Sequence, residues 1–137
     1  MERREVQEDL ADVDPVVAWA DGLAEAHGLD DHVRYAIQVC LEEGLANLIV
    51  HGQAQPGTKA IAVTFEAAAP SAVVTISDTC APFDVTRESG PDADMSDMPL
   101  GGLGLRLLRS FAATMAYGQD GERNVLTLTF APTAPAP

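Results

Sequence analysis

The sequence predicts an α/β sandwich in which helices cover one face of a mixed, mainly antiparallel sheet. Three observations predict it. Apolar residues recur at helical spacing from Val16 to Val50, β-branched runs follow at residues 59–66 and 71–77, and a glycine-rich helix start near residue 100 leads into two more strand-like segments. At 137 residues the chain suits a single complete domain, 1–137, able to bury about two-thirds of its unfolded surface. A hydrophobic fraction of 47% argues against disorder, although much of it is alanine, so the core must rest on Leu, Val, Ile and Phe.

Taken in order, residues 4–10 alternate weakly, as a short edge strand or a frayed helical turn would. Asp14 is placed to cap a helix with Pro15 at its first position, and Val16, Val17, Trp19, Ala20, Leu23 and Ala24 carry the helical period as far as Gly28. Asp30 or Asp31 then caps a longer helix to about Val50, with Gly52, Pro56 and Gly57 as its exit. Residues 59–66 (KAIAVTFE) and 71–77 (SAVVTIS) read as a hairpin joined by a short Ala/Pro stretch. Residues 86–100 are polar and acidic with no usable period, which predicts a mobile loop. A helix over residues 100–113 should face Leu103, Leu107, Leu108 and Phe111 inward. Strands 114–117 and 124–130 should bracket the turn GQDGER, and the tail 131–137 should be disordered.

Charge narrows the partners. With 21 acidic residues against eight Lys and Arg, the net charge is −13, which opposes both the nucleic-acid backbone and anionic membranes. No apolar run approaches the roughly 20 residues of a membrane span, and MERREVQEDLADVD is too charged for a signal peptide, so a cytoplasmic location is expected. Cys40 and Cys80 are far apart and suggest neither a disulfide framework nor a zinc site. Cys40 falls on the apolar helix pattern and reads as core.

Chemistry concentrates in three places. On the second helix, Glu43 and Asn47 lie one turn apart beside the stripe of Ile37, Leu41, Leu45 and Leu48, with His51 one turn further on. They suit either a simple i, i+4 side-chain pair or a site for a hard cation and an activated hydroxyl. The segment DTCAPFD, Asp78 to Asp84, follows a strand, and Asp78 there is either a turn former or a site carboxylate. The run GGLGL, Gly101 to Leu105, opens a helix; it is either a turn or a set of free backbone N–H groups that favours an anion.

In this order the three features resemble the ATP-binding domain of gyrase, histidine kinases and the mismatch-repair ATPase MutL, a Bergerat-type fold. Within that superfamily the chain looks most like the small serine-protein kinases that act as bacterial anti-sigma factors, the family of RsbW and SpoIIAB, over about residues 15–130. The resemblance implies ATP and Mg2+ as cofactors, held between the second helix and an ATP lid at 86–100. It implies Asn47 as the magnesium ligand, Glu43 as general base, and Asp78 as acceptor from the adenine amino group. Cys80, Phe83, Gly102, Leu103, Gly104 and Leu105 would line the nucleotide site. The pattern usually has Gly where Cys80 stands and Pro where Val85 stands. The lid is acidic, with Glu88, Asp92, Asp94 and Asp97 against Arg87, and Arg106 and Arg109 are the nearest cations after it. The implied activity is phosphorylation of an anti-sigma-factor antagonist protein by a homodimeric kinase that sequesters a sigma factor when the antagonist is unavailable. A partner-binding switch with weak nucleotide binding is the alternative. The catalytic module of a histidine kinase is disfavoured, because no preceding helical hairpin with a phosphoacceptor His fits this length.

Overall fold

The computed structural model describes residues 1–52, 54, 58–82 and 102–132, with side chains from residue 107 onward in the last stretch. The expected lid at 86–100, Phe83, Pro56, Gly57 and most of the tail lie outside the described residues. The elements are β1 (Glu2–Val6), a 3-10 turn (Leu10–Asp12), α1 (Val13–Ala26), α2 (Asp31–His51), β2 (Ile61–Ala68), β3 (Ser71–Asp78), α3 (Gly102–Phe111), β4 (Thr114–Asp120) and β5 (Arg123–Phe130).

The strands form one sheet in the order β1-β2-β3-β5-β4, and every neighbouring pair is antiparallel, so the described sheet is purely rather than mainly antiparallel. Its register sorts the side chains. Val63, Ile76 and Leu126 share one row, and Phe65, Val74 and Leu128 the next. These rows meet Val16, Val33, Ile37, Leu41, Leu45 and Leu108 from the helices in one buried cluster. A side chain as large as Phe65, Phe130 or Leu41, fully buried here, stabilises by about 1.5–3 kcal/mol. On the alternate face Thr64, Thr75 and Thr127 line up in register and remain part-exposed. The helices therefore sit on one face, as the two-layer expectation required.

The ends of the elements follow local chemistry. The first segment is an edge strand, paired Val6 to Ile61. The helix that follows begins one residue before Asp14, not after it: the Asp9 carboxylate caps the 3-10 turn through the Ala11 N–H, and that turn runs straight into α1 at Val13. Asp14 thus lies in the first turn rather than at the cap, where its charge still complements the helix N-terminus. Asp30, not Asp31, caps α2, accepting from the Val33 N–H at 2.8 Å. Between β4 and β5 the loop is only Gly121-Glu122, because Asp120 pairs with Arg123; Gly121 has φ +63°, as the first position of a type II′ turn needs. The expected six-residue turn was too long because Gly118, Gln119 and Asp120 look like loop residues yet still pair with β5.

Helix α2 is the central beam. On one flank Arg34 grips Asp21 of α1 with both Nε and Nη2 at 3.0 Å, and Gln38 adds a third hydrogen bond. The Arg34 guanidinium holds the Asp21 carboxyl below its ordinary range. On the sheet side Gly44 lets the helix approach β3 closely: a Cβ there would lie 2.8 Å from Ile76 Cδ1. Gly44→Ala should be close to neutral, since the terminal Cδ1 can swing aside and the helix gains about 1 kcal/mol of propensity. Gly44→Leu should cost about 1–3 kcal/mol, read from urea denaturation. Equal stability for both variants would contradict this close packing.

Candidate functional site

Asp78 ends β3 on the helix-facing side, in the same alternation as Val74 and Ile76, and opposite Asn124 of β5. It is 6% exposed and Asn124 is 4% exposed, so both polar groups need partners. The Asp78 Oδ1 accepts from the Cys80 N–H at 2.8 Å and from Asn124 Nδ2 at 3.0 Å. The same Nδ2 donates to the Cys80 carbonyl at 2.8 Å, so Asn124 bridges both ends of the turn after β3. Its own Oδ1 accepts from the Tyr117 hydroxyl at 2.8 Å and Gln119 Nε2 at 3.2 Å, which fixes the amide orientation. Among the described residues nothing donates to Asp78 Oδ2. Among the described residues one carboxylate oxygen thus has two donors and the other has none, an arrangement that suits an exocyclic amino group.

Cys80, where a glycine was the pattern expected by resemblance, is accommodated without a positive φ. Its thiol packs toward the C-cap of α2: a Cβ on Gly52 would lie 2.8 Å from Cys80 Sγ and 2.5 Å from the Leu48 carbonyl oxygen. The space is therefore made at Gly52. Burial first, and then the Asp78 carboxylate, push the Cys80 thiol up to about 11. Burial alone pushes Cys40 up to about 12, in the core, where its thiol donates to the Leu108 carbonyl at 3.9 Å.

Glu43 and Asn47 are both part-exposed on α2, and among the described residues neither makes a hydrogen bond, so the simple side-chain pair is not what holds them. At 100° per residue they fall about 60° and about 20° from the direction of Cys40, which touches α3, and away from Arg34 and Gln38, which touch α1. Contacts of Tyr35 with Phe111 and of Cys40 with Leu108 show that α3 runs back along α2. Six residues of rise from Leu108, about 9 Å, then carry the start of α3 past Gly44, whose Cβ position lies 3.8 Å from Leu108 Cδ2, toward the C-terminal half of α2. The first backbone N–H groups of α3, in Gly102, Leu103, Gly104 and Leu105, accordingly open toward the C-terminal half of α2, the half that carries Asn47. The fold brings Asp78 and Cys80 to the end of α2, and α3 runs back along the same helix, which carries Glu43 and Asn47. His51 closes α2 in a part-buried position.

Asn124 and Lys59 belong to this neighbourhood although the sequence reading passed over both. Asn124 was read only as the start of a strand. Its signal was a polar residue on the core-facing period of β5, but its partner could be known only from the register.

Against known proteins, the profile of the histidine kinase-like ATPase domain family matches residues 6–130. The chain belongs to that family. It is 28% identical over 113 residues to the serine/threonine-protein kinase BtrW of Bordetella bronchiseptica, an alignment covering 81% of this chain and 80% of BtrW. Among solved structures, the RsbU and RsbW domains of a Mycobacterium tuberculosis protein superpose with a TM-score of 0.68 at 15% identity, over 95% of this chain and 31% of that one. The blue-light-activated histidine kinase of Erythrobacter litoralis gives 0.54 at 13% identity, over 86% of this chain and 41% of that kinase. The chain thus spans less than half the length of either structure, and these likenesses speak for the fold. Family membership makes ATP the nucleotide this site is expected to take.

Two outcomes follow. Asn124→Ala should strand Asp78 Oδ1, the Cys80 carbonyl and the Tyr117 hydroxyl, lowering stability by about 1–3 kcal/mol in denaturant titrations; an unchanged midpoint would dismiss the network. With its pKa near 11, Cys80 should be roughly one part in a thousand thiolate at pH 8, so native-state alkylation should be slow there and quicken as pH rises toward 11. Fast labelling at pH 7 in the folded protein would contradict the burial.

Proposed function

We propose that this protein binds Mg-ATP and transfers its γ-phosphoryl group to a Ser or Thr of a small antagonist protein, and that it regulates a sigma factor by switching between these two partners. The observation that carries the reading is the buried Asp78 carboxylate at the end of β3, whose donors among the described residues all meet Oδ1, on a chain that belongs to an ATPase family and aligns with a serine/threonine kinase over most of its length.

Each residue has a chemical task. Asp78 Oδ2 accepts from the adenine amino group, while Asn124 and the Cys80 N–H hold the carboxylate in place through Oδ1. Guanine presents a carbonyl at the corresponding edge and would set two acceptors against each other, so adenine is preferred. The first N–H groups of α3, from Gly102 to Leu105, meet phosphate oxygens with the favourable sign of the helix dipole. Asn47 would supply a neutral oxygen ligand to magnesium, whose charge would offset that of the phosphates. Glu43, one turn earlier and part-exposed, accepts the proton of the acceptor hydroxyl. The partner and the homodimer belong to this same reading. A partner of basic surface would be steered by the charge of −13.

Titration calorimetry with ATP in magnesium tests the reading. The unaltered chain should bind, and Asn47→Ala should lose most of the gain in affinity that magnesium confers while keeping its melting temperature. Glu43→Gln should bind normally and fail to transfer labelled phosphate, by about 100-fold or more. Equal magnesium dependence in Asn47→Ala would remove that residue from the metal site. No binding at millimolar ATP would leave a partner-binding switch in place of a kinase.

A further inference from the structure

Lys59 is 7% exposed, and the ammonium of a buried lysine must be compensated. Its Nζ donates to two carbonyls of the last turn of α2, Ile49 O at 2.6 Å and Leu48 O at 3.2 Å, where the helix dipole is negative. The Glu8 carboxylate, from the segment after β1, lies 3.6 Å away as its counter-ion. The main chain of the same residue faces the other way. The Lys59 carbonyl accepts from the Thr79 N–H at 3.0 Å, and the Thr79 hydroxyl donates to the Thr58 carbonyl at 2.6 Å.

Thr79 sits between Asp78 and Cys80, and Leu48 follows Asn47. One residue is therefore bonded, through its backbone, to the turn that carries the Asp78 carboxylate and, through its side chain, to the helix turn that carries Asn47. The geometry is enforced. Ala60 has φ +34°, an unusual value for an L residue, and the Arg123 guanidinium holds its carbonyl at 2.7 Å. That bend delays β2 until Ile61 and frees Lys59 to turn toward α2.

We propose that Lys59, with Glu8 as its counter-ion, is a positioning residue that sets the spacing between the base-binding turn after β3 and the cation- and phosphate-binding side of α2. The inference rests on the nucleotide reading above. It assigns no contact between Lys59 and the nucleotide. Its action is to keep the last turn of α2 at a fixed distance from Thr79, so that a nucleotide spanning both halves meets them in register.

The test uses the double variant Lys59→Met, Glu8→Gln, which removes both charges at similar volume and avoids leaving a lone buried ion. Adenosine engages only the base-binding turn, whose bond to the Lys59 backbone survives the change, whereas Mg-ATP spans both halves. Adenosine affinity should stay within about twofold and Mg-ATP affinity should fall about tenfold or more. Hydrogen exchange should show lost amide protection at residues 48–52 with α1 unaffected. An equal fall for both ligands, with a lower melting temperature, would reduce Lys59 to general stability and overturn the proposal, as would unchanged affinities. If the unaltered chain binds no Mg-ATP, the nucleotide reading fails by itself. Exchange at residues 48–52 then decides the tie alone: lost protection upholds it, and retained protection overturns it.

Discussion

A buried carboxylate at the end of a central strand is the constraint on which the rest of this structure depends. Asp78 is removed from water, and that costs several kcal/mol unless hydrogen bonds replace the lost hydration. The replacement comes from a turn that folds the Cys80 N–H back and from an amide on the adjacent strand. The antiparallel register of β3 and β5 is what places Asn124 opposite Asp78, and the register of β4 with β5 brings Gln119 opposite Asn124. The sheet thus holds one carboxylate oxygen of Asp78 between two donors.

The second requirement is that α2 lie close and in a fixed position. Gly44 permits the approach to Ile76, the Asp21–Arg34–Gln38 cluster fixes the flank toward α1, and Lys59 fixes the C-terminal turn. At two contact points the close approach falls at a glycine. Gly52 in particular leaves room for the Cys80 thiol, and Cys80 needs no positive φ. The departure from the family pattern at residue 80 is met by a neighbouring glycine.

Much of this was legible in the sequence, and the parts that were not share a cause. The helical period, a cap at Asp30 or Asp31, the β2–β3 hairpin and the placement of Asp78 at a strand end all depend on residues a few positions apart. The start of α1 was misplaced because Pro15 marks the first helical turn without specifying which residue of that turn it occupies. The β4–β5 turn was overestimated because polar residues pair as readily as apolar ones on an exposed edge. Asn124 and Lys59 were passed over for a deeper reason. Each acquires its role through tertiary partners, Asp78 for Asn124 and the last turn of α2 with Glu8 for Lys59, and no local pattern encodes such pairing.

The proposed function makes Asp78 Oδ2 the acceptor for the amino group of adenine. It is tested most directly by competition between ATP and inosine triphosphate, which differ at the purine 6-position by an amino group against a carbonyl, with the phosphates unchanged. The account predicts that inosine triphosphate binds at least tenfold more weakly, and that Asp78→Asn, whose amide can donate, narrows the difference. Equal affinity of the unaltered protein for the two nucleotides would contradict it.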